Sequence, residues 1–133
     1  MAGKVGRFVA EENGQLLGSI FFSRLFFDDN VVAFLLAPVA VHSDHQGKGI
    51  GQALINYGLR ELREAGVDIV LTYGDPQFYG KVGFRQISPE AVVAPFVLSY
   101  PEGWLGQSLL DEPTEMPSGR CTCVEAFNNS AYW

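Results

Sequence analysis

The chain has 133 residues, 47% of them hydrophobic and 18% charged, ordinary values for one soluble domain with a single core. A net charge of −6 argues against non-specific nucleic-acid binding and against a basic membrane-facing patch, and it favours the approach of cations such as amines. The opening residues carry no apolar core or cleavage site of a secretory signal, and the longest apolar run, 31–41, is too short for a bilayer span.

Phe8-Val9-Ala10-Glu11-Glu12 reads as a strand, and Asn13-Gly14 is the strongest hairpin signal in the chain. Residues 15–27, rich in Leu, Ile and Phe, return as a second strand, and Asp28-Asp29-Asn30 makes the next turn. Residues 31–41 complete an antiparallel meander. Their unbroken apolarity predicts burial on both faces, hence helices on both sides of the sheet. Pro38 cannot donate to a ladder and marks a bulge, an edge or a point where two strands part.

A loop, His45-Gln46-Gly47-Lys48-Gly49-Ile50-Gly51, leads into a helix ending near residue 65, with Ile50, Ala53, Leu54, Tyr57 and Leu62 close to a 3.6 period. Gly66 stops it. Residues 67–73 form a short buried strand, and the strand–helix–strand order predicts a right-handed crossover with parallel pairing. Gly74-Asp75-Pro76 opens a short helix over 77–82, with Asp75 as N-cap and Pro76 first in the helix, closed by Gly83. Beyond Phe84, residues 85–87 and 92–100 read as strands, 105–110 as a turn of helix, 111–119 as a loop and 120–124 as a last strand.

The chemistry concentrates in two places. A glycine-dense loop between a strand and a helix N-terminus presents unpaired N–H groups and the positive end of the helix dipole, a recipe for a phosphate; a plain turn that starts a helix has the same composition. A Walker loop is excluded because Gly49, not Ser or Thr, follows Gly47-Lys48. A dinucleotide fingerprint is excluded by the spacing of Gly47, Gly49 and Gly51. Tyr79, in the second place, is either a packing aromatic or a proton donor. Cys121 and Cys123 read as free thiols of a reducing cytoplasm. Joined with His42 and His45 they would make four metal donors, but the histidines belong to the anion loop, and no metal is assigned.

Gln46-x-x-Gly49-x-Gly51 after Val39-Ala40-Val41-His42, followed by Tyr79 four residues before Gly83-Phe84, resembles the GCN5-related N-acetyltransferase (GNAT) superfamily. The stretch Gly74-Asp75-Pro76-Gln77-Phe78-Tyr79-Gly80 resembles one bacterial branch of it. The likeness covers residues 8–84. It implies an α+β, three-layer fold with a mixed, mostly antiparallel central sheet flanked by helices. One domain over 1–133 is expected, with 8–84 as the core and 85–133 as C-terminal strands and tail. It also implies acetyl transfer from acetyl-CoA to a primary amine, on a small molecule or a peptide, by direct attack.

Residue by residue, Gln46 belongs to the loop motif, and Gly47, Lys48, Gly49, Ile50, Gly51 and Gln52 would meet the pyrophosphate, Lys48 as a countercharge or simply solvated. Val39, Ala40 and Val41 would pair with the pantetheine arm and lend an N–H to the oxyanion. Tyr79 would protonate the leaving thiolate, for which a phenol is suited. His42 and His45 are read as incidental, and no base is assigned, since Glu11, Glu12, Asp28 and Asp29 sit near turns. The family's strand and two helices before the hairpin are not seen, and its Asn before the Tyr helix is replaced by Gly74-Asp75-Pro76. The pairs Phe21-Phe22 and Phe26-Phe27 then need cover from the tail (91–133) or a second subunit, unless the chain is a fragment; a homodimer is expected. The alternative function is a non-catalytic acyl-CoA-binding or regulatory module, and a third is a structural domain with a vestigial loop. No nucleic-acid or membrane partner is expected.

Overall fold

A computed structural model describes residues 5–27, 31–41, 49–110 and 119–123. Strand β1 (Val5–Glu12) turns into β2 (Gln15–Phe26) through Asn13 and Gly14, both left-handed at φ 53° and 79°, the geometry of a two-residue primed turn. β3 (Ala33–Val41) lies on the other side of β2, and α1 (Ile50–Glu64) carries the chain over to β4 (Ile69–Tyr73). β3 and β4 are parallel, as the crossover requires. Then come α2 (Pro76–Gly80), β5 (Arg85–Gln86), β6 (Val92–Val93), β7 (Trp104–Ser108), β8 (Gly119–Arg120) and β9 (Thr122–Cys123). The central order is β1-β2-β3-β4-β7-β5, with β9 on the edge of β2 and a small β6–β8 sheet apart. This is the expected mixed, mostly antiparallel sheet.

Two expectations for the C-terminal part are corrected. Residues 105–110 are not a turn of helix: β7 pairs antiparallel with β4 from Tyr73↔Trp104 to Ile69↔Ser108. The free edge of β4 needs backbone partners, and that demand outweighs the helical spacing of Leu105, Leu109 and Leu110. Within 92–100 strand is confined to Val92–Val93; Pro95 cannot donate to a ladder.

Helices cover one face. There Ile20, Phe22, Phe34 and Leu36 of the sheet meet Leu54, Ile55, Leu59 and Leu62 of α1. Contact is close enough that a β-carbon on Gly58 would fall 2.5 Å from Phe22 Cε2. The other face is covered not by a helix but by the irregular stretch after β5, among the described residues. Val92, Ala94 and Cys121 close over Leu25, Leu35, Ile69, Leu71 and Trp104, and Trp104 Nε1 donates to Val92 O at 2.9 Å. An apolar central strand demands cover on both faces but does not specify what supplies it. Phe22 is buried under α1, and Phe27 packs on the second core. Neither needs a second subunit, and β9 pairs with Leu25 and Phe26 from the tail.

Candidate active site

The parallel ladder between β3 and β4 ends at Leu36↔Thr72. β4 stops one residue later and turns at Gly74, whereas β3 runs on, pairing Val39, Ala40 and Val41 with Ile20, Ser19 and Gly18 of β2. An irregularity falls here: Phe22 faces Leu36 and Ile20 faces Val39, so β3 carries an extra residue at Ala37-Pro38. Pro38 thus marks both a bulge and the parting of two strands.

At the fork, Thr72 Oγ1 is buried and donates to Leu36 O at 2.8 Å. The Tyr79 phenol makes a hydrogen bond with the same Thr72 side chain. Burial raises the Tyr79 pKa above the ordinary phenol value; the Thr72 bond opposes the rise, and the Asp75 carboxylate adds to it. Tyr79 therefore holds its proton at neutral pH.

Local sequence builds this placement. Asp75 accepts Gln77 N–H at 2.9 Å as the N-cap of α2, and Pro76 follows. After the helix, the Tyr79 carbonyl accepts the N–H groups of Val82 and Phe84 at 3.1 and 3.2 Å. That return of the chain needs the φ of 96° at Gly83, the physical reason for a Gly-Phe pair at that distance from the tyrosine. The Tyr79 ring packs edge-on against Phe78 and Phe84, with centroids 5.0 and 5.8 Å apart.

Gly51 joins the pieces. A β-carbon there would lie 3.3 Å from Val41 Cγ2 and 3.4 Å from Phe78 Cζ, so the end of β3, the first turn of α1 and the tyrosine helix converge on one bare position. Gly49 caps α1 in the left-handed region with no side-chain cap bond, and the first turn holds no acidic residue. The N–H groups of Ile50, Gly51 and Gln52 have no intrahelical acceptor, which suits an anion.

Of the expected site residues, Val39, Ala40, Val41, Gly49, Ile50, Gly51, Gln52 and Tyr79 fall around this fork. Gln46, Gly47 and Lys48, with His42 and His45, lie outside the described residues, as do Asp28 and Asp29. Glu11 and Glu12 are exposed at the β1–β2 hairpin. Sequence reasoning missed Thr72, Phe78 and Gly74; a lone polar residue inside the apolar run 69–72 was the available signal. Among the described residues no group of three His, Cys, Asp or Glu side chains is placed to hold a metal.

The family model for the acetyltransferase (GNAT) domain matches residues 5–86. The chain belongs to the GNAT family. It is 30% identical over 129 residues to the uncharacterized N-acetyltransferase YjhQ of Escherichia coli K12, covering 92% of this chain and 71% of that one. With YhbS of the same organism it shares 32% identity over 61% of this chain, and it spans about half (49%) of that relative. Among solved structures, YhbS in complex with CoA superposes with a TM-score of 0.83 at 26% identity, over 92% of this chain and 69% of that one. A GNAT acetyltransferase from Brucella melitensis with acetyl-CoA gives 0.69 at 32% identity, over 91% and 67%. The GNAT fold expected from the two motifs is the fold observed, and Tyr79 stands on α2 beside the fork.

Proposed function

We propose that this chain transfers the acetyl group of acetyl-CoA to a primary amine, with Tyr79 as general acid. The observation that carries the reading is a half-buried phenol at the fork of β3 and β4, beside Thr72. The amine nitrogen forms a bond to the acetyl carbon and the carbon–sulfur bond breaks. The departing thiolate takes the Tyr79 proton, the nitrogen releases one proton to water, and the phenolate is reprotonated from water. Val39, Ala40 and Val41 offer strand-like backbone to the pantetheine arm and an N–H to the oxyanion. The first turn of α1 (Gly49 to Gln52), with Gln46, Gly47 and Lys48 before it, holds the pyrophosphate; its lack of acidic side chains fits that charge.

The second reading, an acyl-CoA-binding module without turnover, is favoured by one feature: β3 carries no carboxylate to accept the amine proton. An amine panel with thiol release as readout separates the two. A catalyst loses about 100-fold or more in kcat on Tyr79→Phe, with acetyl-CoA binding by calorimetry retained. Binding without release with any amine sinks the enzymatic reading, and no binding sinks both. The same proposal treats 1–133 as one cytoplasmic domain. It includes a homodimer through the exposed Phe26, 38% accessible; sedimentation as a monomer removes that part.

A further inference from the structure

Gln107 links β7 to the return that follows α2. It stands opposite Val70 of β4, and residues directly opposite in an antiparallel pair share a face of the sheet. Val70, Leu105 and Leu109 all belong to the core under α1, so Gln107 interrupts an apolar row on the helical face. Its Nε2 donates to Val82 O at 2.9 Å. The same amide lies against Gly83, where a β-carbon would fall 3.2 Å from Gln107 Oε1 and 3.6 Å from Cδ. Val82 N–H in turn donates to Tyr79 O at 3.1 Å, and Phe84 N–H to the same carbonyl at 3.2 Å. The Gln107 amide is thus tied to the Tyr79 backbone through Val82.

α2 has five residues, too few to hold a helix by their own hydrogen bonds. The Asp75 cap and the bonds onto the Tyr79 carbonyl join residues within 75–84. They shape this segment without fixing it on the sheet. Gly74 N–H to Gly103 O at 2.9 Å anchors its start. The Gln107 bond anchors its end, ahead of the β5–β7 ladder that begins at Arg85. We propose that Gln107 is a positioning residue of the transfer reaction: by holding Val82 O it keeps the Tyr79 phenol at Thr72 and at the fork. The inference rests on the acetyltransferase reading above. Gln107 acts through the Val82 carbonyl and not on the reacting atoms, so its loss is read in kcat and not in cofactor binding.

The test uses two substitutions in the full chain. Gln107→Met keeps the length of the side chain and removes the donor, whereas Gln107→Glu keeps its shape and sets an acceptor-only carboxylate against Val82 O. Thiol release is measured with the fastest amine of the panel, beside amide exchange at Val82 and Phe84. Both variants are expected to exchange these two amides about 10-fold faster or more, since a local hold has been released. Both should lose about 10-fold in kcat through misplacement of the phenol, with KM for acetyl-CoA within about twofold of the parent. In a Tyr79→Phe background, Gln107→Met should change the residual rate by less than about twofold, because the two residues act as one unit. A merely structural role lowers the rate in both backgrounds alike. Parent kcat in both variants, unchanged exchange at Val82 and Phe84, or an undiminished loss beside Tyr79→Phe overturns the positioning role and leaves the acetyltransferase reading standing. No thiol release by the parent chain with any amine overturns both.

Discussion

Tyr79 packs its ring so closely on Gly74 that a β-carbon there would lie 2.6 Å from Cε2. The contact aims the phenol at Thr72 from the end of a very short helix. Gly74→Ala is expected to push the ring aside and lower kcat by about 10- to 100-fold, since misplacement by an ångström is enough to do so. Acetyl-CoA binding by calorimetry should change little. Full activity in this variant would show that the ring has room to move.

Thr72→Val removes the donor to Leu36 O while keeping the shape of the side chain. The carbonyl is then left without that bond at the end of the ladder, and stability is expected to fall by about 1–3 kcal/mol in urea unfolding. Loss of the Thr72 bond also removes what opposes the upward shift of Tyr79, so the alkaline limb of kcat moves to higher pH.

Asp75→Asn tests the sign of the remaining influence. Asn caps a helix about as well as Asp, so stability should hold within about 0.5 kcal/mol. The Asp75 charge raises the Tyr79 pKa; without it the phenol loses its proton at lower pH. Activity that depends on the protonated phenol should then begin to decline at lower pH than in the parent. A limb that moves upward contradicts the assignment of Tyr79 as acid.

Gly58→Ala is aimed at the packing of α1. Its β-carbon would stand 2.5 Å from Phe22 Cε2 and 3.2 Å from Ile20 Cδ1, both in fully buried side chains. Phe22 has little freedom to yield, being wedged edge-on against Phe8 at 5.8 Å. The gain in helix propensity of just under about 1 kcal/mol is smaller than an overpacking penalty of about 1–3 kcal/mol. Net destabilisation is expected, read as a lower urea midpoint with unchanged slope.

Much of this molecule is written locally. Asn13-Gly14 fixes a hairpin because both residues accept positive φ, Gly66 stops α1 with a φ of 90°, and Asp75-Pro76 starts α2. In each case the deciding interaction lies within a few residues. The spacing from Tyr79 to Gly83-Phe84 is legible for the same reason, being one hydrogen-bonded return onto the Tyr79 carbonyl. Pro38 announced an interruption of β3, though its identity as bulge and fork together needed the partners on both sides.

What only the tertiary structure decided are relations between distant residues. The strand at 104–108 exists because β4 offers an edge to it, a fact no window around Leu105 contains. Thr72 gains its role from Leu36, and Gly51 from Val41 and Phe78, each through contacts that chain order does not specify. The cover of the second face by the stretch after β5, and the hydrogen bond from Gly74 N–H to Gly103 O, arise the same way. Backbone preference acts over a turn or two, whereas burial and ladder pairing act wherever folding brings two surfaces together.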